Sequence, residues 1–324
     1  MLHLLGGSNS LVTRQSIPVM SGSPASPHSP RGRFIALRHA DLGQGFTVAR
    51  ALPTREQRMV GAWCFLDRIG PVDLTESQGM HVGAHPHTGL QTFTWMIQGR
   101  VLHRDSLGSE QVIQPGQVNL MTAGQGIVHT EDSLPGSTRL LAAQLWIALP
   151  AEKTDMAAAF THYPVLPQWG GGAANSLQFT LLAGEFSGYR APTMTHSPLM
   201  GMDIHALRGD ETTLSLRTDF EYGILPLEGQ VLVDGQTVTA DRFLYLPAGE
   251  VSCSLELPAG SRCLVLGGEP FAQPISMWWN FVGPTRAYVE QAQADWLSGS
   301  SRFPVVQASA APRLPAPPIP WVKT

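Results

Sequence analysis

The apolar positions of this chain come in short runs of three to ten residues, broken by Gly, Pro and Asp. Thr92–Ile97 (TFTWMI), Gln111–Ile113 and Leu140–Leu149 mark the texture between Phe46 and Leu149. It returns between Leu177 and Leu266, at Gly223–Leu227, Val231–Val233 and Phe243–Leu246. Turn signals at spacings of about ten residues predict short antiparallel strands in a sandwich or barrel. Thr154–Phe160 (TDMAAAF) reads as a short helix with Thr154 as its N-cap, and Gly170–Ala174 as a loop. One longer helix is predicted between Pro284, in its first turn, and Gly299, at its end. Its apolar stripe is Ala287, Val289, Ala292, Trp296 and Leu297, which predicts packing against a barrel.

The two halves look like copies. Gly116–Gly124 (GQVNLMTAG) and Asp241–Gly249 (DRFLYLPAG) each end a strand in Ala-Gly. Ile97–Gly99 (IQG) and Leu227–Gly229 (LEG) each precede another strand. A duplicated small β-barrel explains both. The expected division is a loose tail over 1–33, a first barrel over 34–168, a second over 169–283, a helix over 284–303 and a Pro-rich extended tail over 304–324. The Ser- and Arg-containing, acid-free N-terminus also has the composition of an organelle transit peptide, but a loose tail is the simpler reading.

Composition narrows the function classes. The formal charge is −4, which argues against direct nucleic-acid binding. No apolar run approaches the ~20 residues of a membrane helix, so a soluble protein is expected. Cys64, Cys253 and Cys263 are too few and too irregular for a disulfide framework or a thiolate zinc site, which points to a reducing compartment and a cytoplasmic location.

The histidines carry the chemistry. Five of the eleven lie between positions 81 and 129, and none follows His205. In His85-Pro86-His87 the two imidazoles share one face of a strand, and the proline keeps His85 extended. His129-Thr130-Glu131 repeats the spacing with a carboxylate. If these strands face each other, three imidazoles and one carboxylate meet, a donor set for Fe(II), Ni(II), Mn(II) or Zn(II). His81 and His103 read as surface or supporting residues. Carried along the strand, the same parity gives Gln91, Phe93 and Trp95 as pocket residues, with core packing an equal alternative for the two aromatics. Gln144 is a candidate polar contact from a later strand.

These segments resemble a known family. Gly79, His85, His87 and Gly99 follow the first cupin motif, with Gln91 at its acidic position. HPHTGLQTFTWMIQG (85–99), HRDSLG (103–108), PGQVNLMTAGQGIVHTE (115–131), QLWIALP (144–150), GGEP (267–270) and WWNFV (278–282) resemble the pirins, two-barrel members of the cupin superfamily. The resemblance implies iron ligands at His85, His87, His129 and Glu131, with Fe(II) as the first choice of metal. It implies an all-β bicupin whose second barrel has lost its metal, since Ser252 replaces a motif histidine and no histidine pair lies near Asp219–Tyr222. It also implies a quercetin 2,3-dioxygenase type of activity on flavonol-like aromatic polyols and O2, with Glu131 as the base. The rival expectation is an iron-dependent redox sensor that binds a transcription factor or metabolic enzyme. A metal-bearing fold without activity is the third.

Overall fold

The computed structural model describes residues 32–41, 47–74, 79–134, 136–307, 309 and 311–322. The expected loose tail therefore lies outside the described residues up to Arg31. The strands are β1 (Arg33–Ala36), β2 (Arg38–Asp41), β3 (Thr47–Leu52), β4 (Trp63–Asp73), β5 (His81–His87), β6 (Leu90–Gln98), β7 (Val101–Asp105), β8 (Glu110–Ile113), β9 (Val118–Thr122), β10 (Ile127–Ser133), β11 (Arg139–Ala148), β12 (Ala159–Tyr163) and β13 (Gln168–Gly171). They continue as β14 (Leu177–Ala183), β15 (Glu185–Phe186), β16 (Tyr189–Arg190), β17 (Leu199–Ala206), β18 (Asp210–Ser215), β19 (Glu221–Glu228), β20 (Gln230–Val233), β21 (Gln236–Thr239), β22 (Arg242–Leu246), β23 (Ser252–Leu257), β24 (Arg262–Gly268), β25 (Ser276–Trp278) and β26 (Phe281–Gly283). One α-helix, α1 (Arg286–Ser298), follows.

The duplication is written in the strand order. The first half pairs β12-β9-β6-β11-β4-β3-β2 in one sheet and β5-β10-β7-β8 in another. The second half pairs β1-β22-β19-β24-β17-β14-β13 and β18-β23-β20-β21, the same pattern apart from the edge strands β12 and β1. The two Ala-Gly runs end β9 and β22, which hold equivalent places. Within each half the two sheets are not joined by backbone pairing among the described residues, so each half is a two-sheet sandwich rather than a closed barrel. In the first half the chain changes sheet at Gly89 (φ +64°) and Gly99 (φ +85°), where the left-handed backbone turns it out of its ladder.

Several local expectations change. Ala151–Lys153 forms one 3-10 turn, and Thr154 closes it by donating its hydroxyl to the Ala151 carbonyl at 2.9 Å instead of capping a helix. Phe160 lies in β12, paired opposite Met121, because sheet pairing outweighs the weak helix preference of TDMAAAF. Gly170 and Gly171 belong to β13. Arg33–Ala36, assigned by sequence to the tail and first half, forms an edge strand on the second-half sheet. The counterpart of β5 is β18, not Asp219–Tyr222, and neither β18 nor β23 carries a histidine.

Packing explains why the halves stay together. Trp63, Phe93, Trp95 and Leu145 of the first half share one buried cluster with Leu182, Leu225, Phe243 and Leu264 of the second. The interior of the second half is filled by residues such as Met200, Met202, Phe220, Tyr222 and Cys253. Helix α1 starts at Thr285, whose side chain accepts from the Tyr288 amide, so Pro284 sits just before the cap rather than in the first turn. It ends at Gly299 in the left-handed conformation. Its buried face is Val289, Ala292, Gln293 and Trp296, while Ala287 and Leu297 face solvent. That face packs with Ala84 and Val128, on the back of the β5–β10 sheet.

Phe93 decides between pocket and core, because it is fully buried edge-on against Trp63 at 5.6 Å. Phe93→Ala is expected to lower stability by about 3–5 kcal/mol in urea denaturation, as deletion of a large core side chain does. Divalent-metal uptake per folded molecule should stay at the wild-type level. A folded but metal-free variant would contradict this placement.

Candidate metal centre

The site is built on the face of the four-stranded sheet that looks inward. Antiparallel register sets His129 opposite His85 on one side and opposite Asp105 on the other. Glu131 lies opposite His103. Because side chains alternate faces, residues 85, 87, 129, 131, 103 and 105 form a polar grid on one surface. The ladder slips by one residue in β5 between the partners of His129 and Glu131, a β-bulge at Gly83-Ala84. Gly83 leaves room for the C-terminal segment, since a Cβ there would meet the Pro312 carbonyl at 2.7 Å.

The three imidazoles expected to act together do converge. His85, His87 and His129 each offer a nitrogen within 4.8 Å of the others, and all three are buried. His87 Nε2 and His129 Nε2 stand 3.1 Å apart. Glu131 lines the same cavity, but its carboxylate groups most closely with His129 and His103. His81 is exposed and pairs with Asp132 at 2.8 Å, away from this cluster. His103 is buried behind His129, stacked on Phe160 at 4.4 Å.

Hydrogen bonds show that this donor set fits a metal ion. A carbonyl only accepts, so His85 Nδ1 donates to the Gly83 carbonyl at 2.8 Å and His87 Nδ1 donates to the Asn280 carbonyl at 3.2 Å. Both Nε2 atoms of these neutral rings then carry lone pairs. Two donors that share one ion at ~2.1 Å are about 3.0 Å apart at right angles and about 3.4 Å apart in a tetrahedron. The observed 3.1 Å is nearer the first. Burial holds His85 down to about 4, and holds His87 and His129 well below the ordinary histidine range. Neutral imidazoles at pH 7 are ready ligands. Burial, then the neighbouring Asp132 charge, pushes Glu131 up to about 7.

The opposite wall comes from the seven-stranded sheet. Phe65 stacks on Trp146 at 4.0 Å and 12°, and the edge of Trp146 meets His87 at 5.1 Å. Arg50 lies over Phe65 at 4.5 Å and grips Asp67 through two bonds of 2.8 Å. Thr94, Gln144, Asp67 and Arg50 are consecutive cross-strand partners, a polar row across four strands. The Thr94 hydroxyl donates to Gln144 Oε1 at 2.7 Å, which leaves the Gln144 amide nitrogen on the cavity side as a donor. Leu314, Trp279 and Asn280 complete a cavity of about 300 Å³.

Of the expected pocket residues, Gln144 lines this cavity and Gln91, Phe93 and Trp95 do not. Gln91 donates to Thr122 Oγ1 and to the Met194 carbonyl, and Trp95 donates to Asp203 at 3.2 Å. Parity fails because Thr88-Gly89 turns the chain into a different sheet, so it does not carry from His87 to Gln91. Asp105 and Asp67 were missed. Asp105 had a signal, since His103-Arg104-Asp105 repeats the spacing of His85–His87, whereas nothing in Phe65-Leu66-Asp67 says which face turns inward.

A two-half, cupin-type β protein with a buried histidine-rich pocket in its first half is the class that fold and site define. The sequence profile described as Pirin matches residues 45–147, and that described as Pirin C-terminal cupin domain matches 201–303. The chain belongs to the pirin family. A Pseudomonas aeruginosa protein with the provisional name quercetin 2,3-dioxygenase is 52% identical over 287 residues, 89% of this chain and 90% of that protein. A pirin-like protein of Caulobacter vibrioides is 36% identical, across 82% and 93% of the two chains. The crystal structure of a quercetin 2,3-dioxygenase from Acinetobacter baumannii superposes with a TM-score of 0.87 at 45% identity, covering 90% of this chain and 97% of that one.

The Arg50–Asp67 pair makes the wall testable. Burial raises the Asp67 pKa against the opposing pull of Arg50, so an ionised Asp67 depends on its partner. Arg50→Ala is expected to cost on the order of 2–3 kcal/mol at pH 8, less than a fully buried pair because Arg50 is partly exposed. The cost should shrink as pH falls below the raised Asp67 pKa and grow as pH rises through it, because loss of Arg50 raises that folded-state pKa further. Arg50→Ala with Asp67→Asn should recover much of the loss. A pH-independent cost in thermal unfolding would contradict this account.

Proposed function

We propose that this protein is a metal-dependent dioxygenase of flavonol-type aromatic polyols, with His85, His87, His129 and Glu131 as the residues that hold the metal. Iron(II) is the metal of first choice, with nickel, manganese and zinc as alternatives. The observation that carries the reading is three neutral imidazoles and a carboxylate facing a stacked aromatic wall across one cavity of about 300 Å³. That volume suits a fused aromatic ligand. The relatives with quercetin dioxygenase names add support.

A divalent metal held here supplies a Lewis acid that makes a substrate hydroxyl more acidic and a meeting place for the substrate and O2. The protein's own groups do the rest. Phe65 and Trp146 take the flat rings by stacking. The Gln144 amide donates to a ring oxygen, and the Arg50–Asp67 pair bonds outlying hydroxyls. Leu314 and Trp279 add apolar surface to the cavity wall. Glu131, lifted towards neutrality by burial, accepts the proton that the reacting hydroxyl gives up. Nothing in the fold or the relatives favours the redox-sensor reading.

Oxygen uptake with quercetin by iron-loaded protein tests the activity. Uptake stoichiometric with quercetin is expected, and its absence at full iron content would refute the dioxygenase. Glu131→Gln should keep bound metal within a few-fold and lose about 100-fold in turnover, the lower range for removal of a general base. His87→Ala should lose both metal and turnover. Undiminished turnover in Glu131→Gln would remove the base role.

A further inference from the structure

The Asp105–His103 pair behind the centre has no part in the function proposed above. Asp105 and His103 are almost fully buried. Asp105 Oδ1 accepts the amides of Leu107 at 2.9 Å and Ser109 at 3.1 Å, which closes the turn after β7. Its Oδ2 lies 3.0 Å from His103 Nε2. A carboxylate only accepts, so His103 carries its proton on Nε2 and, when neutral, a lone pair on Nδ1. That lone pair faces His129 Nδ1 at 3.3 Å. His129 must then donate from Nδ1, which leaves its Nε2 bare and aimed at His87. The His103 ring stacks on Phe160 at 4.4 Å and 11°.

We propose that Asp105 and His103 are positioning residues that set the tautomer of His129, so that its Nε2 is free to hold the metal. With His103 neutral, the chain of donors runs from His129 through His103 to Asp105. The role is distinct from that of the ligands, because neither side chain needs to touch the ion. It rests on the reading of His129 as a metal-holding residue. Partners of this kind, which orient a metal-bound histidine through its second nitrogen, typically change affinity 10–100-fold when removed.

Three variants separate orientation from folding. Asp105→Asn keeps an oxygen for the two turn amides but offers His103 an N–H. His103 must then accept on Nε2 and donate from Nδ1, and His129 is forced to carry its proton on Nε2. Ni(II) affinity, measured by calorimetry on the full chain, should fall 10–100-fold while the melting temperature of metal-free protein stays near wild type. His103→Gln preserves the order, because its amide donates to Asp105 and its oxygen accepts from His129, and should bind within a few-fold of wild type. His103→Leu should lose affinity as Asp105→Asn does, and it decides the matter if Asp105→Asn does not fold. The ¹⁵N spectrum of metal-free protein gives an independent readout, with His129 Nε2 unprotonated in wild type and protonated in Asp105→Asn. Wild-type affinity in Asp105→Asn or His103→Leu, or an unprotonated His129 Nε2 in Asp105→Asn, would overturn the relay. A wild-type protein that takes up no Ni(II) would instead refute the metal centre, and the ¹⁵N comparison would still judge the relay.

Discussion

The site depends on one register, the antiparallel pairing of β10 with β5 and β7. It puts His129 between His85 and Asp105 and puts Glu131 opposite His103. A slip of one residue would turn every one of those groups to the other face. That other face is apolar and already occupied, since Ala84 and Val128 pack there against α1. The helix therefore does more than cover a sheet. By claiming the back of β5 and β10, it specifies which face holds the histidines.

The C-terminal segments extend this control. The Asn280 carbonyl receives the His87 Nδ1 proton, and Thr88 is bridged to Phe281. Beyond α1 the chain returns to β5, where the Ala84 amide donates to Pro312 and the Leu314 amide donates back to Ala84. Trp296 Nε1 donates to the Leu314 carbonyl, and Trp278 and Gln293 both donate to the Pro317 carbonyl. This segment is thus pinned by side-chain N–H groups. Its Leu314 becomes a wall of the pocket.

The halves divide the work by what fills them. Both have the same strand order, so topology alone does not make a site. In the first half polar and aromatic side chains leave a cavity between the sheets. In the second, Met, Phe, Tyr and Cys side chains fill the interior, and the cysteines there are free and buried. The large cluster between the halves ties the first half's seven-stranded sheet to the second half.

Much of this was legible in the chain. The period of two in His85-Pro86-His87 and His129-Thr130-Glu131 determined that each pair shares a face, because alternation is a local property of a strand. The paired Ala-Gly runs revealed the duplication, and Gly299 marked the helix end, while the start lay at Thr285, one residue past the expected Pro284. Other features were decided only in three dimensions. Parity could not follow the chain through Gly89 into another sheet, so Gln91, Phe93 and Trp95 face the second half rather than the cavity. The helical preference of TDMAAAF yielded to pairing with β9. Asp67, Trp146 and Leu314 reach the site from strands and a tail far away in sequence. Which face of such a strand turns inward is set by what packs on its other side, and that information is spread over the whole fold.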